Sequence, residues 1–313
     1  MVALALFGLL VSGVLSIAVS MGQGFREQRQ VEETDTAVRA PMDYIIDALR
    51  QASPAVPSGS IFLSNGDSTC STAAVTVTDN TAFNGTDALD VVYATGGVVT
   101  TLTSAYTGGT TTITVVDTTG ISVGDSLVIS NTTTGVVVFV TAVTSSTQLT
   151  LASQSACASG LLTTTPYASG AIVVRALRAH FSIGPDPQLG SNNPMLFVTP
   201  YTAAGPGSAQ ALSDNVEDLQ IAWGIDTDNN EIITSAAPNE WQFALGNPGP
   251  LVGTTRALRI TLIGRAPSPL FGDPAPGSFN RPAAEDHAVG SADSYRRRVL
   301  TSVAEIRNIV GSP

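Results

Sequence analysis

The sequence predicts an α+β chain: one long N-terminal helix, transmembrane in its first half, packed on an antiparallel β-sheet head with an inserted Thr-rich β-subdomain. Three observations predict it. Residues 1–21, MVALALFGLLVSGVLSIAVSM, are apolar and carry no charge. From there to about Gln51 the chain is polar and amphipathic, without a turn signal. Beyond Pro57, Thr, Val and Ile are abundant, and Gly, Asn, Asp and Ser punctuate at short intervals, a pattern of antiparallel β structure. The helix is assigned to 1–52, membrane-spanning to about 21. The head is assigned to 53–313, with the insertion at about 96–166.

Twenty-one helical residues rise roughly 31 Å, which matches a bilayer core of about 30 Å. Three readings compete for this run. A cleaved secretory signal needs a basic n-region, whereas the first basic residue is Arg26. A plain membrane anchor is the second. The third is a helix that packs with copies or relatives of itself, and the following residues favour it. Phe25, Gln28 and Val31 share a face, and Met42, Ile45, Ile46 and Leu49 recur at i, i+3, i+4 and i+7, the stripe of a helix packed on a core. Pro41 removes a backbone donor and predicts a kink near Ala37 to Ala40. Ser53-Pro54-Ala55-Val56-Pro57 predicts the helix end.

Composition excludes several classes. All 14 basic residues are Arg, against 25 acidic ones, for a net charge of −11. That balance disfavours a grip on nucleic-acid phosphates. Arg296-Arg297-Arg298 is the one basic cluster and reads as solvated edge residues. Cys70 and Cys157 are the only cysteines. They form either a disulfide, whose long closed loop is worth about 4 kcal/mol, or two buried thiols. Two Cys with His180 and His287 do not make a zinc-finger spacing.

Within the head, Leu89, Val91 and Tyr93 alternate with Asp90 and Val92. In the insertion, Thr111 to Val116, Ser126 to Ser130, Val136 to Val143 and Gln148 to Leu151 read as four short strands. Val136 to Val140 is wholly apolar, so its strand is expected to be buried on both faces. Ile172 to Leu177, Ala179 to Ile183 and Met195 to Thr199 follow. Val216 to Trp223 places Leu219, Ile221 and Trp223 on one face; Arg256 to Ile263 places Leu258, Ile260 and Leu262 inward. Arg298 to Ala304 ends the sheet, and Ala266 to Ser291, rich in Pro and Gly, reads as a surface loop.

No enzyme motif stands out: there is no G-x-S-x-G, no phosphate-cradling Gly loop with Lys and no H-E-x-x-H. The reading is a non-catalytic chain without a cofactor. One stretch offers hard oxygen ligands on alternate residues, Asp226-Thr227-Asp228-Asn229-Asn230-Glu231. Asp226, Asp228 and Asn230 are candidate Ca²⁺ ligands. The alternative is a polar hairpin turn between Trp223 and Ile232.

Several separated stretches resemble the PilW family of type IV pilus minor pilins. MVALALFGLLVSGV resembles the apolar segment that follows the prepilin cleavage site. DYIIDALRQAS (Asp43 to Ser53) resembles the end of the family's first helix. NVEDLQIAWGIDTD (Asn215 to Asp228) is similar to its V-E-x-L-Q-x-x-Y-G-V-D-T-D segment, with Trp223 for Tyr. Leu258 to Arg265 resembles its V-R-I-S-L-L-x-R strand, YRRRVLTSVAEIRN (Tyr295 to Asn308) its Y-R-R-x-x-x-T-x-V-x-L-R-N ending, and Gly124-Asp125 to Val143 its G-D-x-x-x-x-S…F-x-V-T segment.

The resemblance implies a type IV pilin-like fold and a minor pilin that joins a priming or tip complex and promotes pilus assembly, twitching motility and adhesion. Its implied partners are other minor pilins, the major pilin, a PilY-type tip adhesin and the inner-membrane assembly platform. Its implied location is the inner membrane, single pass with a periplasmic head, then the pilus tip at the cell surface. Ala3, Ala5, Gly8 and Gly13 would let neighbouring helices approach closely. The leader, the cleavage-site Gly, the first Phe and the nearby Glu, which assists methylation, are expected upstream of Met1. A type II secretion minor pseudopilin of the J type and a single-pass anchored β-rich binding protein are the alternatives.

Overall fold

A computed structural model describes residues 2–52, 61–62, 71–106, 110–131, 134–152, 167–236, 239–243, 249–250, 255–269 and 279–306. Cys70 and Cys157 lie outside them. The chain opens with one helix, α1 (Val2–Gln51), of 50 residues, and Pro41 lies inside its unbroken run. Its last turn closes where Ala52 N–H donates to the Ala48 and Leu49 carbonyls.

The strands follow in three groups. β1 (Ile61–Phe62), β2 (Ser71–Thr72) and β3 (Val75–Thr78) are short, and β4 (Ala88–Thr101) is long. β5 (Thr112–Thr114), β6 (Ser126–Ser130), β7 (Gly135–Ser145) and β8 (Gln148–Ala152) make up the Thr-rich part. β9 (Ile172–Asp186) and β10 (Gly190–Thr202) pair as a long hairpin, trailed by β11 (Gly205–Pro206) and β12 (Gln210–Asp214). Next come β13 (Val216–Ile225), β14 (Trp241–Gln242), β15 (Gly249–Pro250), β16 (Thr255–Arg265), β17 (Phe279–Asn280), β18 (Ala292–Asp293) and β19 (Arg297–Glu305). Thirteen strands form one branched sheet with the spine β15-β3-β4-β9-β6-β7-β1-β2. A second sheet has the order β14-β13-β16-β19, and β17 pairs with β18.

This architecture corrects the expected fold class. The described chain is mostly β-sheet with a single helix, not a pilin-like α+β head on one antiparallel sheet, and β1 pairs with β7 in parallel. The membrane expectation is corrected too. Among the described residues no helix is long and apolar enough to cross a membrane. The apolar part of α1 carries Ser12, Ser16 and Ser20 and runs into Arg26, Glu27 and Arg29. The single-pass inner-membrane location is therefore not supported.

Two cores hold the head. In the first, Val38, Met42, Ile45, Ile46 and Leu49 of α1 pack between the sheets, against Leu89 and Val91, Phe181 and Leu196, Leu219, Ile221 and Trp223, and Leu258, Ile260 and Leu262. The helical stripe and the period-2 strands thus bury the same face of each element. The helix sits close enough to β16 that a Cβ on Gly264 would lie 2.6 Å from Val38 Cγ1. The second core gathers Leu102, Ile113, Leu127, Ile129, Val136, Val138, Leu149, Leu151, Tyr167 and Val173. Val137 and Phe139 face the other way, into a small cluster with Val92, Val128 and Ala176. The apolar run in β7 is therefore buried on both faces. β4 and β9 are continuous through both regions, with register shifts near Val98, so the chain runs through Gly96-Gly97 as a bulged strand.

Candidate functional site

Three arrangements carry the polar chemistry, and each is built where a strand end meets another element. The first is the seam where α1 leaves the head. Residues between Gly24 and Arg39 on the helix, Arg296 just before β19 and Arg298 on it flank a groove of about 590 Å³. Glu27 Oε2 lies 3.5 Å from Arg296 Nη2, and Asp35 Oδ1 lies 3.2 Å from Arg298 Nε. Asp35 also pairs with Arg39 one turn on. Gln30 Nε2 donates to Ser268 Oγ at 3.0 Å, and Ser213 Oγ donates to the Ala37 carbonyl at 2.7 Å. Above this seam described apolar side chains of the helix are open: Phe7, Val14, Leu15, Ile17, Met21 and Phe25 are all more than half exposed. A Cβ on Gly13 would meet nothing within 4 Å. The side chains of Ala3, Ala5 and Gly8 are outside those described.

Alternation separates the three arginines: Arg298 is more than half exposed on the edge strand, and the reading as solvated edge residues is corrected for Arg297. Arg296 and Arg298 turn to the helix. Arg297 turns to the opposite face, where only 7% of its side chain is exposed. Its guanidinium binds the Asp293 carboxylate at 2.7 and 2.5 Å and also pairs with Glu217. Burial alone would lower the arginine's pKa; the two carboxylates more than reverse that and raise it.

The second arrangement is a polar layer between the outer face of the four-stranded sheet and residues 279–293. Asp218, fully buried, accepts from Arg281 and from Gln220 Nε2 at 2.9 Å, and His287 Nδ1 lies in the same cluster, 2.7 Å from Arg281 Nη1 and 3.1 Å from Gln220 Nε2. Glu285 takes a fork of bonds from Arg259, at 2.9 and 2.5 Å, and accepts from Thr261 Oγ1 at 3.0 Å. What the sequence marks as a surface loop is, in its described part, a strap pinned by ion pairs. His180, the other histidine, faces Asp90 at 3.0 Å. Beside the layer, Asp87 joins the two sheets: its N–H donates to the Leu219 carbonyl, and its carboxylate accepts from Ile221 N–H at 2.7 Å and Asn80 N–H at 2.9 Å. Burial pushes the Asp87 carboxyl up to about 7 against the pull of those two donors, with Asp79 and Asp286 adding to the rise.

The third arrangement is the acidic connection between β13 and β14. Asp226, Asp228 and Glu240 place carboxylate oxygens within 4.8 Å of one another. Asp226 accepts from Asn230 N–H and Glu231 N–H, both at 3.1 Å, and from Arg256 Nε at 3.2 Å. Glu240 accepts from Thr227 N–H at 2.8 Å, Thr227 Oγ1 at 3.0 Å and Thr234 N–H at 3.0 Å. Asp228 accepts from Asn230 N–H and its side-chain amide. Asn229 and Glu231 adopt left-handed backbone angles to bring those N–H groups round. Burial raises the Asp226 carboxyl, but the Glu231 N–H and Arg256 outweigh it and hold it low; the Thr227 and Thr234 N–H groups hold Glu240 low. The candidates Asp226 and Asp228 come together here. The side-chain oxygen of Asn230, the third candidate, accepts from Ile232 N–H at 2.7 Å. Glu240 is the member the sequence does not reveal; it lies on the far arm, just before Trp241. The three acids are the residues able to hold a hard cation, yet each of their oxygens already accepts a hydrogen bond.

The described chain is a β-rich head packed on the C-terminal half of one long helix. Residues 180–308 match the family model described as Type IV Pilus-assembly protein W. The match runs from the middle of β9 through β19, less than half of the chain, and supports a role in type IV pilus assembly. Comparisons with curated proteins and with solved structures give no match.

Proposed function

We propose that this chain is a minor pilin that joins a priming or tip complex and promotes type IV pilus assembly by packing, without catalysis. The observation that carries the reading is the family match over 180–308. That stretch includes the sheet against which α1 is seated. An exposed apolar helix half is costly to leave in water, at about 25 cal/mol for each Å², and its burial against helices of other pilus components would drive association. The partners proposed are other minor pilins, the major pilin and a PilY-type tip adhesin.

Gene deletion with complementation tests this. Loss of surface pili and twitching, restored by the wild-type chain, is the expected outcome. Normal piliation together with loss of protein secretion would instead assign the chain to a type II secretion pseudopilin.

A further inference from the structure

Among the described residues β19 is the last strand of its sheet, and no strand pairs with its outer edge. Its nine residues pair with β16 in one continuous register, without the shifts that interrupt the β13–β16 and β4–β9 ladders. The flanking bonds set its phase: Ile306 N–H donates to the Arg256 carbonyl at 2.9 Å, and Ala266 N–H donates to the Arg296 carbonyl at 2.8 Å. Even-numbered residues therefore turn their backbone groups toward β16, and Val299, Thr301 and Val303 turn theirs outward. Among the described residues no strand lies beyond them. Val299 and Val303 are 38% and 45% exposed. A straight edge with β-branched residues, no proline and no bulge is a template for a further strand.

That edge is complementary to itself. Laid antiparallel with Thr301 opposite Thr301, two copies of β19 place Val299 opposite Val303 twice and Arg297 opposite Glu305 twice. Odd-numbered residues then meet odd-numbered ones, so each outward N–H faces an outward carbonyl. A slip of two residues in either direction breaks the Val–Val pairs and sets Arg297 against Val303 or Glu305 against Val299. Thr301 Oγ1 already lies 3.0 Å from Thr261 Oγ1, so the central pair would continue a threonine row from one sheet to the next. Cross-strand pairs of these kinds are each worth about 0.2–1 kcal/mol. Arg297 already holds two carboxylates, so the central Val and Thr pairs carry the contact.

We propose that β19 is a self-complementary docking edge for a second copy of this chain, joining two four-stranded sheets into one across a two-fold axis at Thr301. The contact is isologous and independent of which assembly the chain serves.

Cysteine cross-linking of the full chain tests it, in a Cys70→Ser, Cys157→Ser background. At a hydrogen-bonded antiparallel pair the Cα atoms stand about 5.5 Å apart, within disulfide range. Thr301→Cys should give a disulfide-linked dimer under mild oxidation. Val303→Cys alone should not, because its two copies would stand about 13 Å apart; mixing Val299→Cys chains with Val303→Cys chains should restore the link. Adding Val299→Lys and Val303→Lys should abolish the link at 301, and Val299→Lys with Val303→Glu should recover it. Equal linking at 301 and 303, no linking at 301, or indifference to the double-lysine change overturns the proposal. If the cysteine-free parent does not fold, sedimentation of the two charge variants with native cysteines decides. Association lost with Lys/Lys and kept with Lys/Glu supports the edge, and identical behaviour of the two refutes it.

Discussion

The two halves of α1 are equally continuous as helix and opposite in environment. Val38, Met42, Ile45, Ile46, Ala48, Leu49 and Ala52 are sealed between two sheets; from Phe7 to Phe25 the described apolar side chains lie open. Residue type does not distinguish them, since Val, Ile, Leu and Met occur in both. What differs is the partner. The lower half reads as a narrow stripe with Arg39, Asp43, Asp47 and Arg50 on its other faces, matched to one slab of core. The upper half carries no charge before Arg26, and its described apolar side chains, among them Val14, Leu15, Ile17 and Met21, stay exposed. The lower half is thus a structural root, and the described upper half lies open.

Substitutions break this contrast in graded steps. Leu49→Ala, deep in the root, should destabilise the head by about 2–5 kcal/mol. Ile17→Ala, in the open half, should change head stability by less than about 0.5 kcal/mol. Chemical denaturation of each variant measures both values, and equal losses would erase the distinction.

The joint between the sheets comes next. Asp87 holds its proton up to about pH 7 in the folded head and only to about pH 4 in an unfolded chain. The folded state therefore binds the extra proton, and the stability that this contributes is full below about pH 4 and is lost as pH rises to about 7. Each unit of that displacement is worth about 1.4 kcal/mol. Asp87→Asn should flatten the decline between pH 4 and pH 7, read from melting temperatures across that range; an unchanged slope would remove Asp87 as its source.

Gly264 sharpens the root itself. Gly264→Ala must push Val38 away from β16 and should cost about 1–3 kcal/mol. The smallest effect belongs to the seam. Asp35→Ala removes ion pairs to Arg39 and Arg298, both more than half exposed, and should cost at most about 1 kcal/mol. Double-mutant cycles with Arg298→Ala measure it, and a coupling well above that would make the seam a fixed clamp.

The legible parts of the fold are those where one periodicity dominates. Met42, Ile45, Ile46 and Leu49 announce the root, and Leu219, Ile221 and Trp223 announce β13, because each set faces a single core. The continuity of β4 and β9 was hidden, since Gly96-Gly97 carries the chemistry of a turn and only pairing with Val173 and Val174 shows it to be a bulged strand. Arg297 was misread for a related reason. Its neighbours in sequence are arginines, whereas its partners, Glu217 and Asp293, arrive from another strand and a turn. Glu240 escaped because it joins Asp226 only across the β13–β14 connection. In each case the missing information is a contact between residues distant in sequence, which local pattern does not encode.

The most direct measurement concerns the open half of α1. A photo-cross-linking residue placed at Val14 or Ile17, in cells making pili, should link the chain to another pilus-assembly protein, while the same probe at the buried Ile45 should give only links within the head. Links from Ile17 to no pilus component, in cells that still assemble pili normally, would contradict the account.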